Sequence, residues 1–333
     1  MSRLARPLTL LAAASIVATL AVAAPAASKE TNLTLVAYST PKEAYTQIIS
    51  AFQKTPAGQG VTFDTSYAAS GSQARAVIAG LPADIVALSL EPDMTLLVQA
   101  GLVNKKWKSG TYHGMVTDSI VVFVLRDGNP KKIKTWDDLL KPGVDVITPN
   151  PFTSGGARWN VMAAYGAWRK QGNTHKKAIA KLERLFRNVS VQNSSAREGL
   201  QTFLSGKGDV FLAYENEAYF AKKSGQPVQY LPPKTTILIE NPDAITTNTQ
   251  HPAEAKAFLK FLYTPQAQRL FAGNGYRPVV KSVRREYTRE FPTRLRIFKI
   301  ADLGGWAKVQ KQFFDPKNGI MAQIERKVGG TTS

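Results

Sequence analysis

Short apolar runs alternate with amphipathic stretches along the first third of the chain. A run of apolar and β-branched residues predicts a buried strand, and apolar residues recurring every three or four positions predict a helix. Strands that alternate with helices favour parallel pairing and an α/β domain. The predicted strands here are 33–37, 61–66 and 83–88, and the helices that follow them are 41–54, 70–80 and 91–100.

The alternation restarts after residue 118, beginning with the most apolar strand of the chain at 119–125. No low-complexity linker separates the two blocks, so the chain is expected to cross between two α/β lobes more than once, leaving a hinged cleft. The further predicted strands are 144–148, 209–214, 237–239 and 244–246. The further predicted helices are 155–170, 174–187, 196–204, 252–263, 265–272, 306–314 and 320–328.

Residues 1–27 have the layout of a secretory signal. Arg3 and Arg6 precede an uncharged apolar run at 8–24, and small residues stand before Ser28. This order predicts a cleavable signal peptide, the alternative being an amino-terminal membrane anchor. Because the chain has no Cys, no lipid anchor is expected. The predicted location is therefore the periplasm.

Composition narrows the chemistry. The chain has 333 residues, 43 Lys and Arg against 24 Asp and Glu, 3 His and no Cys. The absence of thiols excludes disulfides, Cys-ligated metals and a cysteine nucleophile. His113, His175 and His251 share no ligand spacing, so neither a metal site nor a cofactor is predicted. The net charge of +19 indicates a nucleic acid, an anionic membrane surface or a negatively charged ligand as partner.

Three segments place small residues at predicted helix starts after strands. They are Ser70-Gly71, Ser154-Gly155-Gly156 and Ser195-Ala196. A helix start carries unpaired N–H groups and a partial positive charge, which suits an oxyanion, and glycine lets the backbone approach it closely. For each segment taken alone, plain helix capping is the favoured interpretation.

One longer run distinguishes these readings. Thr148-Pro-Asn-Pro-Phe-Thr-Ser-Gly-Gly-Ala-Arg-Trp-Asn160 strongly resembles the signature of periplasmic sulfate- and thiosulfate-binding proteins that serve ABC importers. Further matches occur in the same order from about residue 33 to residue 325. They include Ala69-Ser-Gly-Ser-Gln-Ala-Arg-Ala-Val77, Ala213-Tyr-Glu-Asn-Glu-Ala218 and Gly304-Gly-Trp306.

The resemblance implies a type II periplasmic binding protein fold, with crossover hinge strands and a ligand cleft between two lobes. The expected lobes are 28–117 plus 240–333, and 118–239. In that family, backbone N–H groups and neutral side chains bind the dianion. Carried over by motif, the sulfate-binding positions are Ser39, Ser70 (hydroxyl and helix start), Ser154, Gly155, Gly156, Ala196 and Tyr214.

Two positions depart from the family pattern: Ser39 stands where Asp is common, and Tyr214 where Trp is usual. An indole only donates a hydrogen bond, whereas a phenol donates or accepts, so Tyr214 is expected either to contact the ligand or to form an aromatic wall. Arg158 and Arg197 follow the binding positions. Pairing with Asp or Glu in a second layer is the favoured interpretation for both, direct anion binding the alternative.

The resulting prediction is a monomeric receptor, not an enzyme, that binds sulfate or thiosulfate and delivers it to an ABC permease. Donor-only chemistry would disfavour phosphate, whose remaining O–H finds no acceptor. A receptor for molybdate or another tetrahedral oxyanion is the first alternative. A secreted hydrolase is the second, though the chain lacks a Gly-x-Ser-x-Gly elbow and catalytic residues are predicted to be absent. The basic residues are dispersed, which argues against nucleic acid as partner.

Overall fold

The computed structural model describes residue 1 and residues 30–291 and 294–332, so the predicted signal peptide lies almost wholly outside the described residues. Strands and helices alternate in the order that the sequence predicts. The strands are β1 (Thr31–Tyr38), β2 (Val61–Ala68), β3 (Ile85–Ala87), β4 (Met115–Arg126), β5 (Val146–Ile147), β6 (Val189–Val191), β7 (Val210–Tyr214), β8 (Val228–Leu231), β9 (Thr235–Ile245), β10 (Arg277–Pro278) and β11 (Arg296–Phe298).

Helices follow most of the strands. They are α1 (Lys42–Gln53), α2 (Ser70–Ile78), α3 (Glu91–Gln99), α4 (Gly155–Lys170), α5 (His175–Arg187), α6 (Ala196–Leu204), α7 (Glu215–Lys223), α8 (Pro252–Leu262), α9 (Pro265–Gly273), α10 (Lys281–Glu286), α11 (Gly305–Phe313) and α12 (Ile320–Val328). Two 3₁₀ helices lie at Trp136–Leu140 and Ile300–Leu303. In the described part of the chain, no helix is long and apolar enough to span a membrane.

Two parallel blocks share one strand order, β2-β1-β3-β9-β4-β7-β5-β6. β1 pairs in parallel with β2 and β3, and β5 pairs in parallel with β6 and β7. The two blocks are the halves of the molecule. The fold class is therefore α/β with a parallel block on each side, as the sequence predicts.

The long strands β4 and β9 join the halves. The first part of β4 pairs with β9, and its second part pairs with β7. β9 in turn pairs with β3 through its last residues. Both strands thus run antiparallel to each other and to these partners, and pass from one half to the other, while β9 also pairs in parallel with β11. These are the crossover strands that the fold requires.

The sequence interpretation of β9 was wrong in one respect. It predicted two strands, 237–239 and 244–246, where the structure has a single strand of 11 residues. Asn241 and Pro242 break the apolar pattern, but both are buried in the crossover, where Pro242 keeps a carbonyl that accepts from the Leu88 N–H. Proline lacks an N–H, and β9 accommodates it because the pairing with β4 is irregular there, with a register shift between Met115 and Thr117.

Helix α4 is the most enclosed helix near the crossover. Every residue from 155 to 168 is buried, which explains why its apolar residues show little one-sided periodicity. The tail packs along it: the rings of Trp306 and Trp159 lie 4.7 Å apart, and those of Phe313 and Tyr165 lie 4.8 Å apart. α12 contacts α5, where Lys327 pairs with Glu183.

Candidate functional site

A small cavity lies between the two halves, and all seven residues that the sequence predicts for the site line it. Its volume is about 10 Å³, on the scale of the space that one water-sized sphere occupies. The first half contributes Tyr38, Ser39, Thr40, Ser70 and Ser89, and the second contributes Ser154, Gly155, Gly156, Ala196 and Tyr214.

The lining residues come from the carboxyl ends of strands. Ser39 follows β1, Ser70 begins α2 directly after β2, and Tyr214 ends β7. In open α/β sheets, ligands bind in the crevice outside the carboxyl ends of the strands. The same chain geometry that makes the two parallel blocks therefore gathers these residues at one place.

The start of α4 presents unpaired backbone donors. Ser154 is its N-cap residue, and the Ser154 hydroxyl accepts from the Ala157 N–H at 3.4 Å. Helix geometry leaves the N–H groups of Gly155 and Gly156 without intrahelical partners. No acidic side chain stands in the first turn of α4, so its partial positive charge is uncompensated.

The start of α6 repeats the serine cap, although its first turn contains an acidic residue, Glu198. Ser195 caps the helix by accepting from the Glu198 N–H at 3.3 Å, which leaves the N–H of Ala196 without an intrahelical partner. α2 begins at the same cavity with no side-chain cap and no acidic residue in its first turn. Three helix starts therefore converge on the cavity with the polarity that favours an anion.

Gly155 lies where the two halves meet. A Cβ at this position would stand 2.0 Å from Leu90 Cδ2 and 2.7 Å from the Ser89 hydroxyl oxygen. At Gly156 a Cβ would meet Tyr214 Cε1 at 3.5 Å, an ordinary contact. The requirement for glycine is therefore strict at Gly155, and its cause is the close approach of the opposite half.

The Ser70 hydroxyl differs from its predicted role. It donates to Asp93 Oδ2 at 2.7 Å and accepts from the Ser89 N–H at 2.9 Å. Because a hydroxyl has one proton, this bond leaves none for a ligand. Asp93 is fully buried on α3, so it provides the nearest strong acceptor. In the structure it is the helix start at Ser70, rather than the hydroxyl, that is available to the cavity.

Tyr214 reaches across the cavity to the other half. Its hydroxyl lies 2.5 Å from the Ser89 hydroxyl oxygen. Burial raises the pKa of Tyr214 well above its ordinary value, so the phenol keeps its proton. The Ser89 carbonyl accepts from Trp159 Nε1 and Asn241 Nδ2, both at 2.9 Å.

Ser89, together with Tyr38 and Thr40, was missed by the sequence analysis. Ser89 follows the third predicted strand and precedes the third predicted helix, as Ser39 and Ser70 do for the first two. The strand–serine–helix order was therefore a usable signal for Ser89.

The two predicted arginines lie beside the cavity and face carboxylates from the opposite half. Arg158 places Nη1 3.3 Å from Asp93 Oδ1, and its Nε donates to the Pro151 carbonyl at 2.8 Å. Arg197 donates twice to Glu43, at 2.7 and 2.8 Å, and twice to Glu217, at 2.9 and 3.0 Å. Both arginines therefore join the halves, and neither lines the cavity.

The two carboxylates that pair with Arg197 have pKa values shifted in opposite directions. Burial by itself would raise the pKa of Glu43, but the bonds from Arg197 outweigh this effect and lower it. Burial dominates at Glu217, which is fully enclosed, and raises its pKa. Glu215, two residues earlier, pairs with Arg277 instead, at 2.7 and 3.0 Å. The two glutamates therefore have separate arginine partners. Among the described residues, no group of His, Asp and Glu could hold a metal ion.

Two parallel blocks, two crossover strands and a cavity between them define the class of solute-binding proteins. Comparison with known proteins agrees: residues 33–277 match the family described as bacterial extracellular solute-binding protein. The chain belongs to this family, whose members are binding proteins rather than enzymes.

Within that family, the chain groups with the sulfate- and thiosulfate-binding proteins. It is 42% identical to a sulfate-binding protein of Synechococcus elongatus, over 90% of this chain and 88% of that one. It is 33% identical to a thiosulfate-binding protein of Pseudomonas aeruginosa, over 87% and 90%. The solved sulfate-binding protein SubI from Mycobacterium tuberculosis H37Rv matches with a TM-score of 0.84 and 44% identity, over 86% of this chain and 100% of that one.

Proposed function

We propose that this protein is the sulfate receptor of an ABC importer, with thiosulfate as a second ligand. The observation that carries the proposal is the convergence of three helix starts, from both halves, on one cavity with neutral lining groups. Sulfate presents acceptors only, and the helix starts at this cavity supply backbone donors. The names of the relatives support the same ligand class.

The ligand contacts that we propose are backbone N–H groups at Ser39, Ser70, Gly155, Gly156 and Ala196, with the Ser154 and Tyr214 hydroxyls as side-chain donors. Hydrogen bonds to a charged acceptor contribute about 1.5–3 kcal/mol each. Several such bonds exceed the ~8 kcal/mol of a micromolar complex, and the remainder offsets dehydration of the anion and closure of the halves.

The two halves act as lobes that close on the ligand. We propose 28–117 plus 240–333 as the first lobe and 118–239 as the second, with β4 and β9 as the hinge. The tail also contacts the second lobe, since Trp306 packs on Trp159. Closure is held by pairs that join the lobes, Arg158 with Asp93 and Arg197 with Glu43. The Gly71 N–H adds a backbone bond to the Thr153 carbonyl at 3.1 Å.

The cellular setting follows from the family and the leader. We propose that 1–27 is a cleavable signal, that the mature chain works as a periplasmic monomer, and that it delivers its ligand to a membrane permease. Mass spectrometry of the secreted chain tests the cleavage site. Light scattering tests the monomer.

A calorimetric and thermal-shift panel of sulfate, thiosulfate, molybdate, phosphate and arsenate tests the ligand. Sulfate is expected to bind most tightly and raise the unfolding temperature most, with thiosulfate next. Small-angle scattering should show a smaller radius of gyration with sulfate than without. The proposal fails if sulfate produces neither heat nor stabilisation at low ionic strength, and a molybdate preference would move the protein to the alternative receptor class.

A further inference from the structure

Two hydroxyls from opposite halves meet at the wall of the cavity. Ser89 lies between β3 and α3, Tyr214 ends β7, and their oxygens are 2.5 Å apart. One of the two protons is used between them. Asn241 also hydrogen-bonds the Tyr214 hydroxyl, and the pair still has a second proton and a remaining lone pair to offer.

Both residues are held in place while their hydroxyl hydrogens stay free to turn. The Ser89 N–H donates to Ser70 Oγ, and its carbonyl accepts from Trp159 and Asn241. Tyr214 is 2% exposed, and its ring lies 6.4 Å from that of Tyr38. Fixed oxygens with rotatable protons can exchange the donor and acceptor roles without moving a heavy atom.

The hydroxyls of Ser70 and Ser154 and the backbone donors at the cavity lack this freedom. The Ser70 hydroxyl donates to Asp93 and accepts from a backbone N–H, so both of its roles are taken. The Ser154 hydroxyl accepts from the Ala157 N–H, which leaves its proton for the cavity. Backbone N–H groups only donate. These groups make a site for an anion without protons.

The Ser89–Tyr214 pair can satisfy two kinds of anion. Toward sulfate, Ser89 donates to Tyr214, and Tyr214 donates to the ligand. Toward an oxyanion that keeps a proton, the ligand O–H donates to the Tyr214 oxygen, Tyr214 donates to Ser89, and Ser89 turns its proton to the cavity. In both arrangements the buried Tyr214 proton has a partner, and only hydroxyl hydrogens rotate.

We propose that the Ser89–Tyr214 hydroxyl pair lets this cleft bind a protonated oxyanion dianion, such as hydrogenphosphate, as a weaker second class of ligand beside sulfate. The inference rests on the proposed function of the same cleft. A donor-only site would leave the ligand O–H unpaired, whereas this pair supplies the acceptor.

Ser89→Ala is the test, because it keeps Tyr214 and the Ser89 backbone bonds. Without the Ser89 oxygen, a Tyr214 that accepts from the ligand has no acceptor for its own proton. At mildly alkaline pH, where phosphate is mainly the singly protonated dianion, calorimetry should show phosphate binding weakened about tenfold. Sulfate affinity should change less than about threefold, because Tyr214 still donates its proton to sulfate and no donor is left unpaired. Tyr214→Phe should weaken both anions.

The exposed Ser109→Ala is the matched control and should change neither constant. Equal losses of sulfate and phosphate in Ser89→Ala would overturn the inference, as would phosphate binding that is unchanged. Sulfate binding by the wild type with no detectable phosphate binding would also overturn it, while the proposed function would stand. A wild type that binds no sulfate would instead refute the proposed function.

Discussion

The lining of the cavity is neutral, whereas the ion pairs beside it consist of formally charged groups. The lining offers N–H groups and hydroxyls and no formal charge. The adjacent arginines are charged, yet each faces a carboxylate from the opposite half. Arg197 is even shared by two carboxylates. The charged groups thus pair with one another across the halves, and the lining of the cavity is neutral.

The wider distribution of charge repeats this separation. Residues 30–117 carry six Lys and Arg and six Asp and Glu, so the net charge of +19 arises elsewhere in the chain. This segment nevertheless contributes half of the cavity lining. Net charge therefore indicates the sign of a ligand without marking where it binds.

The largest effect is expected from Gly155→Asp, which attacks the neutral lining directly. The new carboxylate takes the helix start that an oxyanion would use, and its Cβ cannot fit against Leu90 when the halves are closed. Sulfate binding measured by calorimetry should weaken more than about a hundredfold.

Gly110→Asp is the matched control, because a Cβ there meets nothing within 4 Å. It should bind sulfate as the wild type does. Similar losses in the two variants would mean that added negative charge anywhere weakens binding, and the neutral helix starts would lose their special role.

Arg197→Ala attacks the ion pairs and should act first on stability. It leaves Glu217, which is fully buried, without a counter-charge, at a cost of about 3–5 kcal/mol. The loss should be smaller in acid: the folded-state pKa of Glu217 is already raised and would rise further, so the folded chain binds the proton more readily and stability falls as pH rises. Urea unfolding at acidic and alkaline pH measures this.

The exposed pair of Arg187 with Glu183 supplies the comparison. Arg187→Ala should cost less than about 0.5 kcal/mol, because that side chain is 61% exposed. If Arg197→Ala cost as little stability as Arg187→Ala, the pair of Arg197 with Glu217 would not stabilise the fold. If it abolished sulfate binding while the fold stayed intact, Arg197 would belong to the ligand site.

The local sequence pattern predicted the helices and strands better than it predicted which segments meet over long distances in the chain. The strand and helix periods located most elements, and the helix starts at Ser70, Ser154 and Ala196 are where the sequence placed them. β9 was divided in two because Asn241 and Pro242 interrupt its apolar pattern. Short edge strands such as β8 and β11 were not predicted, because strands of so few residues do not show a clear alternation of apolar and polar positions.

The partners of the site residues were harder to predict than the residues themselves. Asp93 and Glu43 meet the two arginines only because the halves approach each other, and no spacing within the chain encodes that approach. The bond from the Ser70 hydroxyl to Asp93 was missed for a different reason: it lies within the first half and depends on the packing of α3 against α2. The resemblance to a family assigns the positions of the site residues. The residues of the opposite half with which the two arginines pair are known only from the structure.

The smallest expected effect is that of salt on sulfate affinity. This effect distinguishes the contribution of the neutral cavity lining from that of the charged groups outside it. Between about 50 and 500 mM NaCl the screening length shortens from roughly 14 to 4 Å, which weakens attraction between the basic surface and an approaching anion. The association rate should therefore fall. Inside the closed cavity the ligand meets fixed dipoles without intervening solvent, so the dissociation rate should hardly change. Stopped-flow measurements should show a dissociation constant that rises less than about tenfold, through the association rate alone. A dissociation rate that increases with salt would mean that formal charges, which salt screens, retain the bound anion. The distinction between a neutral binding site and charged surroundings would then be wrong.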